Sequence, residues 1–223
     1  MSFLPYHTGV LLAQTLGVCT LCRRQPTAWG LLCEACDNDI VWLPPCFNIV
    51  DDPAIHVQMA SFYEGALAAA IGAFKDRQRL DALPFLVHCL SKLAQYLIDI
   101  EEAVILPIPT TNLRLLDRGF YPVGVLAAYL SAMTDFDIYD GVVRLTDGVR
   151  QRGLDRQQRL SNLSGVFELD FLPEAETVII FDDVSTTGAT FLEVTKLLLR
   201  HNSRLNIHAV CLAHGSSKFL TQQ

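Results

Sequence analysis

The sequence predicts an α/β protein in which a parallel, Rossmann-like sheet carries helices on both faces and follows a small metal-binding module. Apolar, β-branched runs alternate along the chain with segments whose apolar residues recur at helical spacing, which is typical of this architecture. The chain has 223 residues, 51% of them hydrophobic, which is enough to bury a sizeable core. Two closely spaced pairs of cysteines come before the first predicted strand.

The individual elements are predicted from local pattern. Residues 177–181 are apolar and largely β-branched, as a buried strand requires, and Phe191, Val194 and Leu198 recur at helical spacing just after them. The same criteria predict strands at 56–63, 103–108, 142–145 and 205–213, and helices at 66–74, 82–100, 122–133 and 189–200. A connector containing Pro and Asp predicts a boundary near residue 53, between an N-terminal module of residues 1–53 and a main domain of residues 54–223.

Charge and hydropathy exclude two broad classes of protein. The net charge of −7 has the wrong sign for a chain that coats nucleic acid or anionic lipid with its whole surface. The apolar run at residues 9–21 is about 13 residues long, short of the ~18 to 20 that span a bilayer, and no basic segment precedes it. We therefore predict a short buried helix there, no membrane span and a cytoplasmic protein.

Four of the seven cysteines form the pattern Cys19-x2-Cys22-x10-Cys33-x2-Cys36. Two pairs of thiolates at this spacing can close a tetrahedral zinc site. Because four thiolates leave no coordination position open, the predicted role of the zinc is structural. The alternative is four ordinary buried thiols. An odd number of cysteines in a chain of this size favours a reducing compartment.

The other cysteines and the histidines do not form a recognisable catalytic group. Cys89 and Cys211 lie in apolar surroundings and are predicted to be core residues, and Cys46 has no partner in the sequence pattern. The histidines are scattered, and each is predicted to be a packed or surface residue, so no general base is identified. They are His7, His56, His88, His201, His208 and His214.

The most informative segment is Val178–Thr190, which reads VIIFDDVSTTGAT. A buried strand, two carboxylates at its end and a Thr/Gly loop before the next helix stand where open α/β sheets bind ligands. The loop 185–190 offers a phosphate backbone N–H groups, hydroxyls and the positive end of a helix dipole. Asp182 and Asp183 would need hydroxyls or a hard cation beside that phosphate, and a ribose diol supplies hydroxyls. The alternative is that the acids only cap the following helix.

This segment resembles the motif with which type I phosphoribosyltransferases bind 5-phosphoribosyl 1-pyrophosphate (PRPP). The resemblance implies a type I phosphoribosyltransferase fold for the main domain, with Mg²⁺ bound together with PRPP. It makes Asp182 and Asp183 the catalytic-site ligands of the ribose hydroxyls. It makes the following loop the binding site of the 5′-phosphate, formed by Ser185, Thr186, Thr187, Gly188, Ala189 and Thr190.

A second segment, Ile105–Pro109, ends another predicted buried strand. In the same enzyme family the equivalent turn contacts pyrophosphate. By position, this makes Thr110 and Thr111 candidate ligands, with Arg114 and Arg118 as anion partners. The alternative is that the two arginines lie on a solvated helix.

A third segment, residues 144–159, holds five arginines against two aspartates, a local charge of +3 in a chain of −7. The arginines are Arg144, Arg150, Arg152, Arg156 and Arg159. The segment fits a mobile loop that closes over phosphates, a contact with a nucleic-acid backbone, or an ordinary exposed loop. It contains no aromatic residue, which single-strand binding platforms usually add.

Together these motifs resemble the ComF/GntX family of competence-associated phosphoribosyltransferase-like proteins over nearly the whole chain. In order they are the cysteine pairs, Tyr63–Gly65, Phe74–Lys75, Arg118–Phe120, Arg156-x2-Arg159 with Asn162 and Phe167, and Asp182–Thr190. The chain departs from the family in two places. The family's Gly-Phe-Asn-Gln is replaced by Gly119-Phe120-Tyr121-Pro122, and of two further cysteine pairs only Cys46 remains, which predicts a single metal site.

The resemblance implies a role in natural competence, with handling of incoming single-stranded DNA at the cytoplasmic side of the membrane beside a helicase or channel protein. Two alternatives stay open. One is an active, Mg²⁺-dependent phosphoribosyltransferase that displaces pyrophosphate from PRPP in favour of an unidentified acceptor. The other is a catalytically silent PRPP sensor that acts through protein partners. The residues alone do not separate these, so whether the chain is an enzyme is left open.

Overall fold

A computed structural model describes residues 17–27, 32–43, 47–51, 54–146 and 165–215. The strands are β1 Phe47–Asp51, β2 Ala54–Phe62, β3 Val104–Pro107, β4 Asp137–Ile138, β5 Val142–Arg144, β6 Phe167–Leu169, β7 Thr177–Ser185 and β8 Asn206–His214. The helices are α1 Glu34–Asn38, α2 Gly65–Arg77, α3 Leu83–Gln95, α4 Asn112–Arg118, α5 Pro122–Thr134 and α6 Ala189–His201, with a 3₁₀ turn at Leu80–Ala82.

Six of the strands form one sheet in the order β1-β2-β8-β7-β3-β4. The neighbouring pairs from β2 to β4 are parallel, and β1 adds to the edge of β2 in antiparallel orientation. β5 and β6 pair with each other outside this sheet. Because β7 lies between β3 and β8, the carboxyl ends of these three parallel strands open at the same edge, where ligands of such sheets bind.

The central strand is covered on both faces. Val178–Phe181 are fully buried. The side chains of Ile179 and Phe181 pack in one core cluster with α2, α3 and α5, while those of Val178 and Ile180 pack in a second cluster with α6. A strand buried on both faces reads as a continuous apolar run, which is the pattern that predicted it. The predicted parallel sheet with helices on both faces is therefore confirmed.

Three local predictions need correction. β7 does not end at residue 181 but continues to Ser185, because Asp182, Val184 and Ser185 keep their pairing with β8. The helix predicted at 82–100 ends at Gln95 and is followed by turns. Of the helix predicted within 9–21, the structure describes only residues 17–21, and these form a turn and a bridge between Val18 and Pro26.

The N-terminal segment packs directly on the α/β core. Cys19, Cys33 and Cys36 are buried in the same cluster as the apolar side chains of α3. Arg23 forms an ion pair of 2.5 Å with Asp81, beside the start of α3. At the other end of that helix, the Tyr96 hydroxyl donates a hydrogen bond of 3.1 Å to the carbonyl oxygen of Leu43. The boundary near residue 53 stays a prediction, and β1 shows that residues 47–51 already pair with the sheet.

No helix within the described ranges is long and apolar enough to cross a membrane. Residues 1–16, Cys46, and the segment 147–164 with Arg150, Arg152, Arg156 and Arg159 lie outside the described ranges.

Candidate functional site

A cleft of about 210 Å³ opens at the carboxyl ends of β3 and β7. It is walled by the turn after β3, the N-terminus of α5, the last residues of α2 and the end of β5. Predicted site residues from two separate parts of the sequence meet here. They are Thr110, Arg114, Arg118, Asp182, Asp183 and Thr190.

Asp183 is an ionisable side chain deep in the wall of this cleft. It is only 2% exposed, and its two carboxylate oxygens lie 2.7 and 2.6 Å from the Nζ atom of Lys75. Lys75 stands in the last turn of α2, and its side chain is 27% exposed. A buried carboxylate is tolerated when it is paired and hydrogen-bonded, so Lys75 is the counterion that permits Asp183 to occupy this position.

Asp182 has a different environment from its neighbour. Its Oδ1 atom accepts a hydrogen bond of 2.8 Å from the backbone N–H of Asp183, and the side chain is half-buried in the cleft. Burial, followed by repulsion from the Asp183 carboxylate, raises the pKa of Asp182 to about 8. Asp183 is thus paired with a cation, whereas the raised pKa of Asp182 favours its protonated form near neutral pH.

The loop after β7 forms a small second hollow of about 50 Å³, lined by residues 184–191 and Asp182. Gly188 caps the N-terminus of α6 with a φ of +71°, a conformation that glycine adopts without strain. The hydroxyl of Thr187 accepts a hydrogen bond of 3.4 Å from the N–H of Ala189. Ser185 is buried, and its carbonyl accepts from the N–H of Gly215, which ties the start of the loop to the end of β8. The loop thus presents backbone N–H groups at the start of a 13-residue helix.

The turn after β3 supplies the opposite wall. Thr110 lines the cleft, whereas Thr111 is buried, does not line it, and uses its hydroxyl to cap α4 through the N–H of Arg114 at 3.4 Å. Arg114 and Arg118 face both the cleft and an adjoining groove of about 610 Å³. Both walls of the cleft therefore offer donors to anions, one through a helix N-terminus and the other through cationic side chains.

Three further polar side chains, those of Lys75, Tyr121 and Arg144, line the cleft and were not predicted as ligands there. The sequence pattern marks Lys75 only as part of the Phe74–Lys75 family motif, and Arg144 only as one of the five arginines of residues 144–159. The guanidinium carbon of Arg144 lies 5.2 Å from the ring centroid of Phe167. Tyr121 lies in the turn whose departure from the family pattern left its role undefined, and its hydroxyl donates to the carbonyl of Ile108. No histidine among the described residues lines this cleft.

The four N-terminal cysteines converge on one point. Their sulfur atoms all lie within 4.8 Å of one another, and those of Cys22 and Cys33 are 3.9 Å apart. Sulfur ligands about 2.3 Å from a tetrahedral zinc ion are separated by roughly 3.8 Å, so the cluster fits a metal of this type. Backbone N–H groups of Arg24 and Gln25 lower the pKa of Cys22 to about 6, which favours the thiolate form that binds metals.

Each pair of cysteines sits in a distinct backbone motif. In the first pair, the N–H of Cys19 donates to Gln25 O and that of Arg23 donates to Cys19 O, both at 2.9 Å, and Arg23 adopts a φ of +56°. In the second pair, Cys33 caps α1 and Cys36 lies in its first turn. Cys89 and Cys211 are fully buried in the core, as predicted.

Comparison with known proteins gives a consistent result at the level of sequence. The chain is 28% identical over 196 residues to Competence protein F of Haemophilus influenzae, covering 82% of this chain and 84% of that protein. It is 26% identical over 211 residues to the DNA utilization protein YhgH of Shigella flexneri and of Escherichia coli K12, covering 88% of this chain and 89% of theirs. A scan against models of protein families finds no match.

Solved structures similar to this chain include two phosphoribosyltransferases. A purine phosphoribosyltransferase of Pyrococcus horikoshii aligns with 58% of this chain and 73% of its own, at a TM-score of 0.36 and 18% identity. An orotate phosphoribosyltransferase of Aeropyrum pernix aligns with 66% of this chain and 68% of its own, at a TM-score of 0.39 and 15% identity.

The sheet order and the cleft at its carboxyl edge make this an open, parallel α/β protein with an N-terminal four-cysteine cluster, as the sequence predicted. More particularly, the chain is a homologue of Competence protein F and of YhgH over most of its length, so the predicted resemblance is confirmed.

Proposed function

We propose that the cleft binds PRPP together with Mg²⁺ and that the protein acts in the uptake and use of external DNA. The observation that carries the first part is the order of chemical groups across the cleft. The hollow of the 185–190 loop shares Asp182 with the cleft, Asp183 lines the cleft, and Arg114 and Arg118 border both the cleft and the groove next to it. PRPP has the same order, with a 5′-phosphate, a diol and a pyrophosphate.

The two acids support a sugar rather than a third phosphate in the middle of the cleft. Asp183 is paired with Lys75, and a phosphate beside its carboxylate would be repelled, whereas hydroxyl groups donate to carboxylate oxygens. Asp182 offers the same acceptor once it releases its proton to solvent. Mg²⁺ prefers oxygen ligands from one or two carboxylates and from phosphates, and Asp182 is the carboxylate that can share it with a bound pyrophosphate.

Ligand-induced stabilisation tests this binding. PRPP with Mg²⁺ at 100 times its Kd is expected to stabilise the wild-type chain by about 2.7 kcal/mol, visible as a higher melting temperature. The double variant Asp182→Asn/Asp183→Asn is expected to lose the shift, while the exposed Asp99→Asn control keeps it. Each shift is taken relative to the same variant without ligand. A wild-type melt that PRPP leaves unchanged refutes the proposal.

Phosphoribosyl transfer is the chemistry that this arrangement supports if an acceptor reaches the bound sugar. With no histidine of the described residues in the cleft, the contribution of the protein is positioning and electrostatic stabilisation of the departing pyrophosphate by Arg114 and Arg118. Incubation with PRPP and a panel of bases, scored for pyrophosphate release, separates an enzyme from a silent PRPP sensor. Release with one base supports the enzyme, and none with any base supports the sensor.

The second part of the proposal rests on the homologues, whose names place them in competence and DNA utilisation. We propose that the chain works in the cytoplasm on incoming single-stranded DNA, with a helicase or channel protein as partner. Deleting the gene is expected to lower transformation by external DNA. Complementation with the Asp182→Asn/Asp183→Asn variant then decides whether the cleft is needed for that role: recovery to the wild-type frequency argues against it.

Direct contact with DNA is tested separately. The arginines of 144–159 are the basic group that the sequence offers for it, so the Arg150→Ala/Arg152→Ala/Arg156→Ala variant should weaken binding of a labelled oligonucleotide and flatten its salt dependence. No binding by the wild type even at low salt argues that DNA is handled by a partner, and an unaltered affinity of the variant argues against contact through these arginines. For the four-cysteine cluster we propose one structural zinc ion bound by Cys19, Cys22, Cys33 and Cys36.

A further inference from the structure

Tyr121 lines the cleft, and its backbone is held by the start of α5. It caps the N-terminus of that helix, its carbonyl accepts a hydrogen bond of 3.0 Å from Val125, and Pro122 takes the first helical position. Proline is favoured there because its φ is already helical. The main chain of Tyr121 is therefore fixed independently of any ligand.

The position of the Tyr121 ring depends on a glycine one turn further along. A Cβ atom at Gly124 would lie 2.3 Å from Cδ1 and 2.7 Å from Cε1 of the Tyr121 ring. Carbon atoms do not approach so closely, so only glycine leaves room for the ring. The absence of a side chain at Gly124 thus leaves the space in which the Tyr121 ring packs against the start of α5.

The hydroxyl of Tyr121 then reaches across to the turn after β3, where it donates to the carbonyl of Ile108. Ile108 is 5% exposed, and its N–H donates a hydrogen bond of 2.8 Å to the carbonyl of Phe181, the residue before Asp182. The N–H of Ile108 is thus hydrogen-bonded to β7, and its carbonyl is hydrogen-bonded to Tyr121. Burial, and then the charges of the two acids, raises the pKa of Tyr121, so the phenol keeps the proton that it donates.

We infer that Tyr121 is a positioning residue that holds the turn at residues 108–110 in the shape required by the pyrophosphate end of the ligand. The inference rests on the proposed binding of PRPP and adds to it a residue in the Tyr121-Pro122 departure from the family pattern. Without the hydroxyl, the Ile108 carbonyl would lack its donor, and rotation of the peptide toward water would relieve that loss. That rotation moves Pro109 and Thr110, but not the loop at 185–190.

Binding of the two ends of the ligand can therefore be measured separately. PRPP occupies both walls, whereas ribose 5-phosphate lacks the pyrophosphate. Tyr121→Phe is expected to weaken binding of PRPP with Mg²⁺ about tenfold, equivalent to about 1.4 kcal/mol, and to leave the affinity for ribose 5-phosphate unchanged. Gly124→Ala, which displaces the ring but keeps the hydroxyl, is expected to give the same selective loss. Both affinities are measured by calorimetry on the full chain.

Tyr96→Phe is the matched control. It removes the same hydroxyl from the same kind of bond, a phenol donating to a backbone carbonyl, at a position outside the cleft. It is expected to leave both affinities unchanged. Equal losses for PRPP and ribose 5-phosphate in Tyr121→Phe, or no loss for either, overturn the positioning role while PRPP binding by the wild type stands. A wild-type chain that binds neither ligand overturns the proposed function and this inference with it. If Tyr121→Phe does not fold, the Gly124→Ala result decides by the same criteria.

Discussion

Replacing Asp182 by asparagine should change how the stability of the protein depends on pH. The half-buried Asp182 carboxyl has its pKa raised to about 8, whereas an aspartate in the unfolded chain titrates near 3.9. Between these values the native state holds one proton more than the unfolded state. The free energy of unfolding therefore falls as pH rises, because proton binding favours the native state less and less. Asparagine does not titrate, and its Oδ1 atom can still accept the hydrogen bond from the N–H of Asp183.

The size of the effect follows from the pKa of the native state. Each pH unit over which the native Asp182 stays protonated and the unfolded one is ionised contributes about 1.4 kcal/mol. From about pH 5 to about pH 8, wild type should lose up to about 4 kcal/mol relative to Asp182→Asn. Above the native pKa of about 8 the difference between the two proteins should stop changing, because Asp182 is then ionised in both states.

Urea unfolding of both proteins across this pH range measures the difference directly. Titrating groups that do not interact with Asp182 are shared by the two chains and cancel in the comparison, and the exposed Asp99→Asn variant should follow wild type. A wild-type minus variant difference that is the same at about pH 5 and at about pH 8 would refute the raised pKa. A difference of the opposite sign would mean that Asp182 is stabilised as a carboxylate in the folded chain.

Two other predictions concern the ion pair and the cysteine cluster. Lys75→Met should destabilise the fold by about 3 kcal/mol in chemical denaturation, because Asp183 is left buried without its counterion. Adding Asp183→Asn should recover most of that loss. A double variant that is as unstable as Lys75→Met alone contradicts the pairing. Removal of metal by a chelator should lower the melting temperature of the wild type but not that of Cys36→Ser. Cys211 is a buried thiol outside the cluster, so the chelator should still lower the melting temperature of Cys211→Ser. Equal chelator effects on wild type and Cys36→Ser would contradict a metal site there.

The fold class could be predicted because its signals are local. The apolar run Val178–Phe181 and the helical spacing that follows it each lie within about one element, and both faces of β7 are buried as that run requires. Shorter elements escaped prediction. β4 has two residues and β6 has three, so neither is long enough to show an alternating pattern. Their backbone hydrogen bonds are supplied by neighbours that are distant in sequence.

The sequence alone determined the composition of the candidate site: the paired acids, the Thr/Gly loop and the four cysteines are contiguous patterns whose residue types dictate their chemistry. The tertiary structure decided which groups share a space. Lys75 meets Asp183 across 108 positions of sequence, and Tyr121 meets Ile108 only because α5 starts beside the end of β3. It also decided the surroundings of the two neighbouring acids, since Asp183 pairs with Lys75 whereas the packing around Asp182 raises the pKa of its carboxyl.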